Sequence, residues 1–391
     1  MPPLSLAMQL YASQLDYSGP STALRNCTIF YASVLFFGGI FLQSVDGLLE
    51  SHNLYHETSR FFLFALFVLE NCFVQLLFTQ HWGFLSSVQT KEQAAVWFAP
   101  IAGVGSIAST AAAFTVAPVI NHFGLAALLA LSGIFMFCSA YFAMDAYRIA
   151  VQHGFEPKPK ENEKKALAKN DDKNFLQRAI ALFIRVPILG ALCVEVIFSQ
   201  CQSSLLNSLF VLKLKEAIPA DGERARYTGN VYAYINGSSG VLQFAVLPLM
   251  VKRLESRSLW LVMPSVMVAC AMVMTVQKAN NLHTVAGSFL LMKAMEYSVR
   301  GVTGEMVYVS LDYESRFLGK EIIGVFVNRV GKSVVAIGLS LVTAYFGTQL
   351  DLRSLTFALV AIAGAWLLVS YRLTTFLNAD AASDETKAKK E

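Results

Sequence analysis

The sequence is poor in charged residues and rich in long apolar runs. Of its 391 residues, 55% are hydrophobic and only 15% are charged, and the mean hydropathy is +0.50. Soluble globular domains carry about 25% charged residues. The shortage of charge therefore excludes a soluble globular fold. It predicts an all-α, polytopic membrane protein, because apolar segments of this length cross a bilayer as helices.

The sequence also lacks the patterns of reactive sites. Its six cysteines form no CxxC pair and no Cys/His metal spacing, so we expect them to be small buried apolar side chains. The six histidines are scattered, without a spacing that indicates a nucleophile or a metal. We therefore predict no enzyme activity, no cofactor and no nucleic-acid partner. The first 25 residues have neither the basic start and apolar core of a signal peptide nor the Arg richness of a transit peptide, so they predict no targeting route.

Apolar segments of about 20 residues recur along the chain, and each is long enough to span a bilayer. The least certain boundary falls near Asn121, His122 and Gly124. Ten spans are predicted, at residues 27–48, 60–82, 93–119, 123–147, 184–212, 228–251, 258–277, 282–309, 321–347 and 353–375.

A charged, proline-containing stretch at residues 149–183 divides these spans. Its composition cannot bury a core, so we expect a solvated linker, with a regulatory role as the weaker alternative. The linker separates a bundle of about four helices, residues 27–148, from one of about six, residues 184–376. An N-terminal segment, residues 1–26, precedes them, and residues 377–391 have the composition of a disordered tail.

Positive charges are distributed unevenly between the two predicted sides of the membrane. Alternating the loops places 20 of the 31 Lys and Arg residues on the side that holds both termini and the linker, seven on the other side and four within spans. Loops rich in Lys and Arg stay in the cytoplasm or its equivalent. The pattern therefore predicts that both termini and the linker lie on that side. The partner of the apolar spans is the lipid bilayer.

Charged residues within apolar segments are concentrated in one stretch, and each costs roughly 2.5 to 3.5 kcal/mol at bilayer depth. Lys293, Glu296 and Arg300 follow the spacing of one helical face. The stretch contains Lys293, Glu296, Arg300, Glu305, Lys320, Arg329 and Lys332. Such a cluster normally lines a polar cavity, so we predict the functional centre here. The alternative is that the charges form buried structural salt bridges.

The intramembrane cations favour an anionic substrate, because Lys and Arg bind phosphates and carboxylates. We predict Lys293, Arg300, Arg329 and Lys332 as its ligands. The intramembrane acids would orient these cations or exchange protons. They are Glu70, Glu195, Glu296 and Glu305.

Two further polar features have competing explanations. Glu195, Ser199 and Gln202 form a stripe on an apolar helix, which either a helix–helix hydrogen bond or a transport pathway would explain. The glycine-rich run at residues 236–240 suits a phosphate cradle, but no Lys-Ser/Thr pair follows it, so close helix packing is favoured. The four tryptophans are predicted as interface anchors or packing residues.

Two patches of the sequence form a recognisable pattern. The main block consists of Lys293, Glu296-Tyr297-Ser298, Glu305-Met306-Val307-Tyr308, Leu311-Asp312, Gly319-Lys320 and Gly331-Lys332-Ser333. The second patch has Glu70 before Trp82-Gly83-Phe84. With these motifs the chain resembles the nucleotide transporter family of plastids and intracellular bacteria, the ATP:ADP antiporters. The resemblance implies a twelve-helix fold similar to the major facilitator superfamily, alternating access and exchange of ATP/ADP-type nucleotides. It nominates as functional Glu70, Lys293, Lys320, Arg329 and Lys332.

The chain departs from the family pattern at several positions. Asn207 stands in place of a glutamate, Gly304 in place of a basic residue and Gly324 in place of an Asp. The family's first two helices have no counterpart before Cys27. The leading prediction is a nucleotide exchanger, in a plastid envelope first and a bacterial inner membrane second. The alternatives are a degenerate member that serves as a structural subunit with a membrane-complex partner, and a transporter of another organic anion.

Overall fold

The computed structural model describes residues 2–46, 53–155, 175–277, 281–346 and 352–388. These parts of the chain consist of helices joined by short turns and contain no strand. The prediction of an all-α membrane protein is thereby confirmed.

Most of the helices are long enough to cross a membrane. Three of them contain π-helical turns, in which the backbone accommodates one extra residue. In chain order the helices are α1 (Pro2–Asp46), α2 (Asn53–Val88), α3 (Lys91–Gln152), α4 (Phe175–Arg185), α5 (Pro187–Ala217), α6 (residues 221–253), α7 (Ser256–Val276), α8 (residues 282–309), α9 (residues 315–346) and α10 (Leu352–Ala388). The π-helical turns are Leu242–Val246 in α6, Glu296–Arg300 in α8, and Ser315–Gly319 and Ile322–Val327 in α9.

Two glycines kink the long helices. Gly19 has φ 79° and is followed by Pro20, whose ring also disfavours a straight helix. Gly124 has φ 83° within α3. The span boundary that the sequence left least certain, near Gly124, is therefore a kink in a continuous helix. A residue with a Cβ rarely adopts this backbone conformation, so glycine is what allows both bends.

Eight helices of the described residues are long and apolar enough to cross a membrane, where the sequence predicted ten. The two predicted spans outside this count, residues 60–82 and 282–309, are helical as well. The first offers an apolar helix only over Phe61–Glu70. The second carries the charges of the predicted functional stretch, which lower its mean hydropathy.

The chain divides into two compact units, and the division does not follow the linker. We call Met1–Thr90, Ala111–Leu182 and Leu311–Val325 the first unit. The second unit consists of Lys91–Thr110, Phe183–Ser310 and Phe326–Glu391. The first part of α9 therefore packs with the N-terminal helices, although the sequence assigned residues 321–347 to the C-terminal bundle.

Within the first unit, α1 and α3 cross at two glycines. A Cβ on Gly39 would lie 2.6 Å from the carbonyl oxygen of Ala126, and one on Gly133 would lie 2.7 Å from the backbone nitrogen of Phe36. The two backbones thus touch directly, as small residues allow in membrane bundles.

The second unit is built around one apolar core contributed by α5, α6, α7, α8 and α10. Phe210 and Phe289 stack with ring centroids 4.9 Å apart, and Trp366 is completely buried. The Asn281 side chain accepts a hydrogen bond from the backbone nitrogen of His283 at 2.9 Å and caps the start of α8. This core fixes the faces that α5 and α8 turn toward the charged residues.

Two segments predicted to be irregular are partly helical. The described end of the linker forms α4, whose Arg178 is 2.8 Å from Glu314 in a buried ion pair. Most of the linker, and the last three residues of the tail, lie outside the described residues. α10 continues to Ala388, so the described part of residues 377–391 is helical and not disordered. A helix that is already nucleated extends readily through Ala, Glu and Lys.

Candidate functional site

Glu296 and Arg300 begin and end the π-helical turn of α8, and Lys293 lies just before it. The side chain of Gln243, itself in the π-helical turn of α6, donates a hydrogen bond to the Tyr297 carbonyl oxygen at 2.9 Å. The Gln243 oxygen in turn accepts from Ser106 at 2.8 Å. Such turns are frequent at functional sites. Here the turn sets the angular positions of Lys293, Glu296 and Arg300 around the helix.

Glu296 is the centre of the first charged group. Its Oε2 accepts a hydrogen bond from the Lys293 ammonium at 2.7 Å and from Ser203 Oγ at 3.3 Å. Its Oε1 accepts from Gln200 Nε2 at 2.9 Å. The side chains of Lys293 and Glu296 are both largely removed from solvent. Three donors from α5 and α8 nevertheless satisfy the Glu296 carboxylate and fix its position.

Arg300 and Glu195 form the second charged group. The guanidinium donates two parallel hydrogen bonds, Nε to Oε1 at 3.1 Å and Nη2 to Oε2 at 2.8 Å. Trp366 Nε1 also donates to Oε1 at 2.9 Å. The carboxylate of Glu195 is only 1% exposed, so it depends on these partners. This bidentate geometry fixes the orientation of the Arg300 guanidinium.

Lys332 and Arg329 extend the cluster from α9. Lys332 lies within electrostatic range of Glu296, Lys293 and Arg329, and its side chain is exposed. The contact that brings α9 to α5 is at Gly331, where a Cβ would lie 2.7 Å from the Cβ of Gln200. The absence of a side chain at this position is what lets Lys332 approach the Glu296 group.

These six charged residues carry more positive than negative charge. Lys293, Arg300, Arg329 and Lys332 are set against Glu195 and Glu296, which gives a net charge of +2. We refer to them as the cation cluster. Its composition suits an anion with at least two negative charges. No group of three or more His, Cys, Asp or Glu side chains that would bind a metal occurs within the described ranges.

The other predicted site residues have surroundings of their own. Glu305 lies further along α8, within electrostatic range of Tyr308. Lys320 belongs to the first unit, is 2% exposed and donates to Ser86 Oγ at 3.5 Å. Glu70 also belongs to the first unit, where its side chain is exposed and lies within electrostatic range of Tyr31.

Part of the charged stretch is ion-paired, and part of it is exposed. Lys293 and Arg300 are ion-paired, as the structural alternative expects, and Glu195 does make the helix–helix hydrogen bonds suggested by its polar stripe. Lys332 is in no such buried pair but is exposed beside them. The sequence did not indicate Gln200, Ser203 or Trp366 as members, although the polar run on α5 was a usable signal for the first two.

The departures from the family pattern occupy three different environments. Asn207 is exposed, and a Cβ at Gly304 would meet only open space. At Gly324 a Cβ would collide with the Thr79 side chain, whose hydroxyl bonds the buried Glu321 carboxylate. The glycines of the 236–240 run, Gly237 and Gly240, also face open space, so close packing does not explain them.

Comparison with known proteins gives the same result as the charged stretch. The family model described as TLC ATP/ADP transporter matches residues 55–376, which is most of the chain and includes the whole cation cluster. No match is found among curated proteins. Together with the helical membrane fold, the match establishes that this chain belongs to the TLC ATP/ADP transporter family.

Proposed function

We propose that the protein exchanges ATP/ADP-type nucleotides across a membrane by alternating access, with the cation cluster as the phosphate-binding site. The observation that carries this proposal is the net positive cluster within a chain of this family. Nucleotide phosphates carry several negative charges and are held in proteins by Lys and Arg. The family context favours a plastid envelope, with a bacterial inner membrane second.

The members of the cluster have different tasks in this proposal. Lys332 is exposed and makes the first contact with the phosphates. Lys293 follows by exchanging the Glu296 carboxylate for a phosphate oxygen, so that one charged hydrogen bond replaces another and Glu296 keeps only its bonds from Gln200 and Ser203. Arg300 stays on Glu195 and contributes its positive field. Arg329, beside Lys332, adds to the attraction.

Glu296 then has a direct role in exchange. With the site empty, its hydrogen bonds to Lys293, Gln200 and Ser203 keep the buried lysine from being left uncompensated. With nucleotide bound, the carboxylate competes with phosphate and favours release. Glu70, Glu305 and Lys320 enter the proposal only through the family resemblance, as residues of transport coupling.

The test is uptake of labelled ATP into proteoliposomes preloaded with ADP. Lys332→Gln and Lys293→Gln should each lower exchange by about tenfold or more, because each removes a charged hydrogen bond to phosphate. The matched control is Lys252→Gln, which neutralises an exposed lysine near the end of α6 and should leave exchange unchanged.

Two results would contradict the proposal. Exchange that survives both cluster substitutions would place the phosphate site elsewhere. A wild-type protein that exchanges no nucleotide, shows no nucleotide-dependent thermal shift and copurifies with one stoichiometric partner would favour the structural subunit. Competition by a panel of organic anions distinguishes nucleotide transport from transport of another anion.

A further inference from the structure

A polar stripe on α6 faces the cation cluster and is used by none of its ion pairs. Tyr232, Asn236, Ser239 and Gln243 follow the spacing i, i+4, i+7 and i+11, so they share one helical face. Gln243 ties this face to α8 by its hydrogen bond to the Tyr297 carbonyl oxygen. Ser239 is 1% exposed, and its hydroxyl has no hydrogen-bond partner. A buried hydroxyl without a partner is a site at which a ligand atom can bind.

Two tyrosine rings border this stripe next to Lys293. The Lys293 ammonium lies 5.8 Å from the ring centroid of Tyr297, and Tyr232 is within electrostatic range of both. The Tyr232 ring packs edge-on against the buried Phe289, with centroids 6.1 Å apart. Tyr232 is nevertheless 41% exposed and Tyr297 45% exposed. Each ring is therefore positioned by its neighbours and still accessible.

We propose that Tyr297 and Tyr232 form the subsite for the nucleobase, with Ser239 as a hydrogen-bond partner for the base or the ribose. This inference rests on the proposed function and deepens it, because it assigns the part of the nucleotide that the cation cluster does not bind. Stacking on aromatic rings accepts any base, since every base has a π-face. The subsite therefore selects nucleotides over simple polyphosphates more strongly than it selects one base over another.

The geometry divides the ligand between two neighbouring groups of side chains. Lys293 is shared by both, since it bonds Glu296 on one side and lies over Tyr297 on the other. A nucleotide whose phosphates reach Lys293 and Lys332 would bring its base to the tyrosines. The stripe on α6 contains no Lys or Arg, so it offers stacking and neutral hydrogen bonds and no second phosphate site.

The test compares a ligand that has a base with one that has none. Binding of ADP and of inorganic tripolyphosphate to the purified full-length protein in nanodiscs is measured by calorimetry. Tyr297→Leu should weaken ADP binding by about tenfold, the order expected from the loss of one stacking partner. It should leave tripolyphosphate binding unchanged. Tyr297→Phe and Tyr297→Trp keep a stacking ring and should restore ADP binding.

One control and one further variant separate stacking from general damage. Tyr234→Leu removes a neighbouring tyrosine that is 67% exposed and lies off the stripe, and it should bind both ligands normally. Tyr232→Leu is the second variant, with the same selective loss expected. A Tyr297→Leu protein that keeps wild-type ADP affinity, or loses both ligands equally, would overturn the inference while the phosphate site stands. Wild-type protein that binds neither ligand would overturn the proposed function and this inference with it.

Discussion

At the residue scale, the carboxylate of Glu195 is fixed by donors from two other helices. One of its oxygens is shared by Arg300 and Trp366, while the other accepts from Arg300 alone. Burial makes each partner necessary, because an ion left alone in a low-dielectric interior is strongly unfavourable. The pair therefore sets the orientation of Arg300 and also ties α5, α8 and α10 together.

Replacing Arg300 alone should be more harmful than replacing the whole pair. We expect Arg300→Met to lower the free energy of unfolding by about 3–5 kcal/mol, because Glu195 would stay buried without its cation. The double variant Glu195→Leu/Arg300→Met should recover much of that loss. Unfolding in detergent micelles, followed by circular dichroism, measures both. Losses that simply add would show that the two side chains are not directly coupled.

The sequence predicted the charged members of the site better than their partners. A charge in an apolar segment is visible in a single sequence because its burial is costly. The partner is not visible, since 105 residues separate Glu195 from Arg300 and 171 separate it from Trp366. The neutral donors Gln200 and Ser203 were missed for the same reason.

At the element scale, the crossing of α1 and α3 depends on the absence of two side chains. Gly39 and Gly133 lie where each helix touches the backbone of the other. The contact is between main chains, so no rotamer change relieves an added methyl group. The helices must move apart instead, and the packing around the crossing is lost with them.

A larger residue at either glycine should therefore destabilise the first unit. We expect Gly133→Leu to lower the melting temperature by several degrees, in line with a loss of about 1–3 kcal/mol for overpacking. Gly105→Ala is the control, because a Cβ there meets only open space and alanine favours a helix. Differential scanning fluorimetry of the purified protein compares them. Equal melting temperatures would mean that the crossing tolerates separation.

The π-helical turn in α8 shows the limit of reading helical faces from sequence. An uninterrupted helix of 3.6 residues per turn predicts the face of Lys293, Glu296 and Arg300. The extra residue in the turn Glu296–Arg300 changes the angle of everything that follows it. No residue pattern in the sequence predicts a π-helical turn at this position. Tyr297, in contrast, lies four residues after Lys293, a spacing that ordinary helical periodicity already places on the same face.

At the scale of the whole molecule, the uneven distribution of Lys and Arg predicts the topology. A reporter placed after Gly154, or at the C-terminus, should lie on the cytoplasmic side, whereas one inserted after Pro219, between α5 and α6, should lie on the opposite side. Fusions to alkaline phosphatase and to green fluorescent protein in bacterial membranes distinguish the sides. An insertion after Leu254, between α6 and α7, is the control and should match the C-terminus. An active phosphatase at both Pro219 and Leu254 would contradict the predicted alternation.

The general architecture was predictable because hydropathy directly reports the spans. The eight qualifying helices correspond to predicted segments. The grouping into units was not predictable, because the charged linker suggested a division by chain order, whereas Leu311–Val325 packs with the N-terminal helices. Which helices touch is decided by surface shape, as at Gly39 and Gly331, and a single sequence does not encode that shape in any local pattern.

The chain passes from the first unit to the second inside α9, between Val325 and Phe326. This position falls within the π-helical turn Ile322–Val327, where the helical hydrogen bonds are already rearranged. A helix bends most easily where its regular hydrogen bonds are interrupted. Any bending of α9 should therefore be concentrated at this turn, shortly before Arg329 and Lys332. A change of angle here would move both side chains together, because they lie on the same continuous helix.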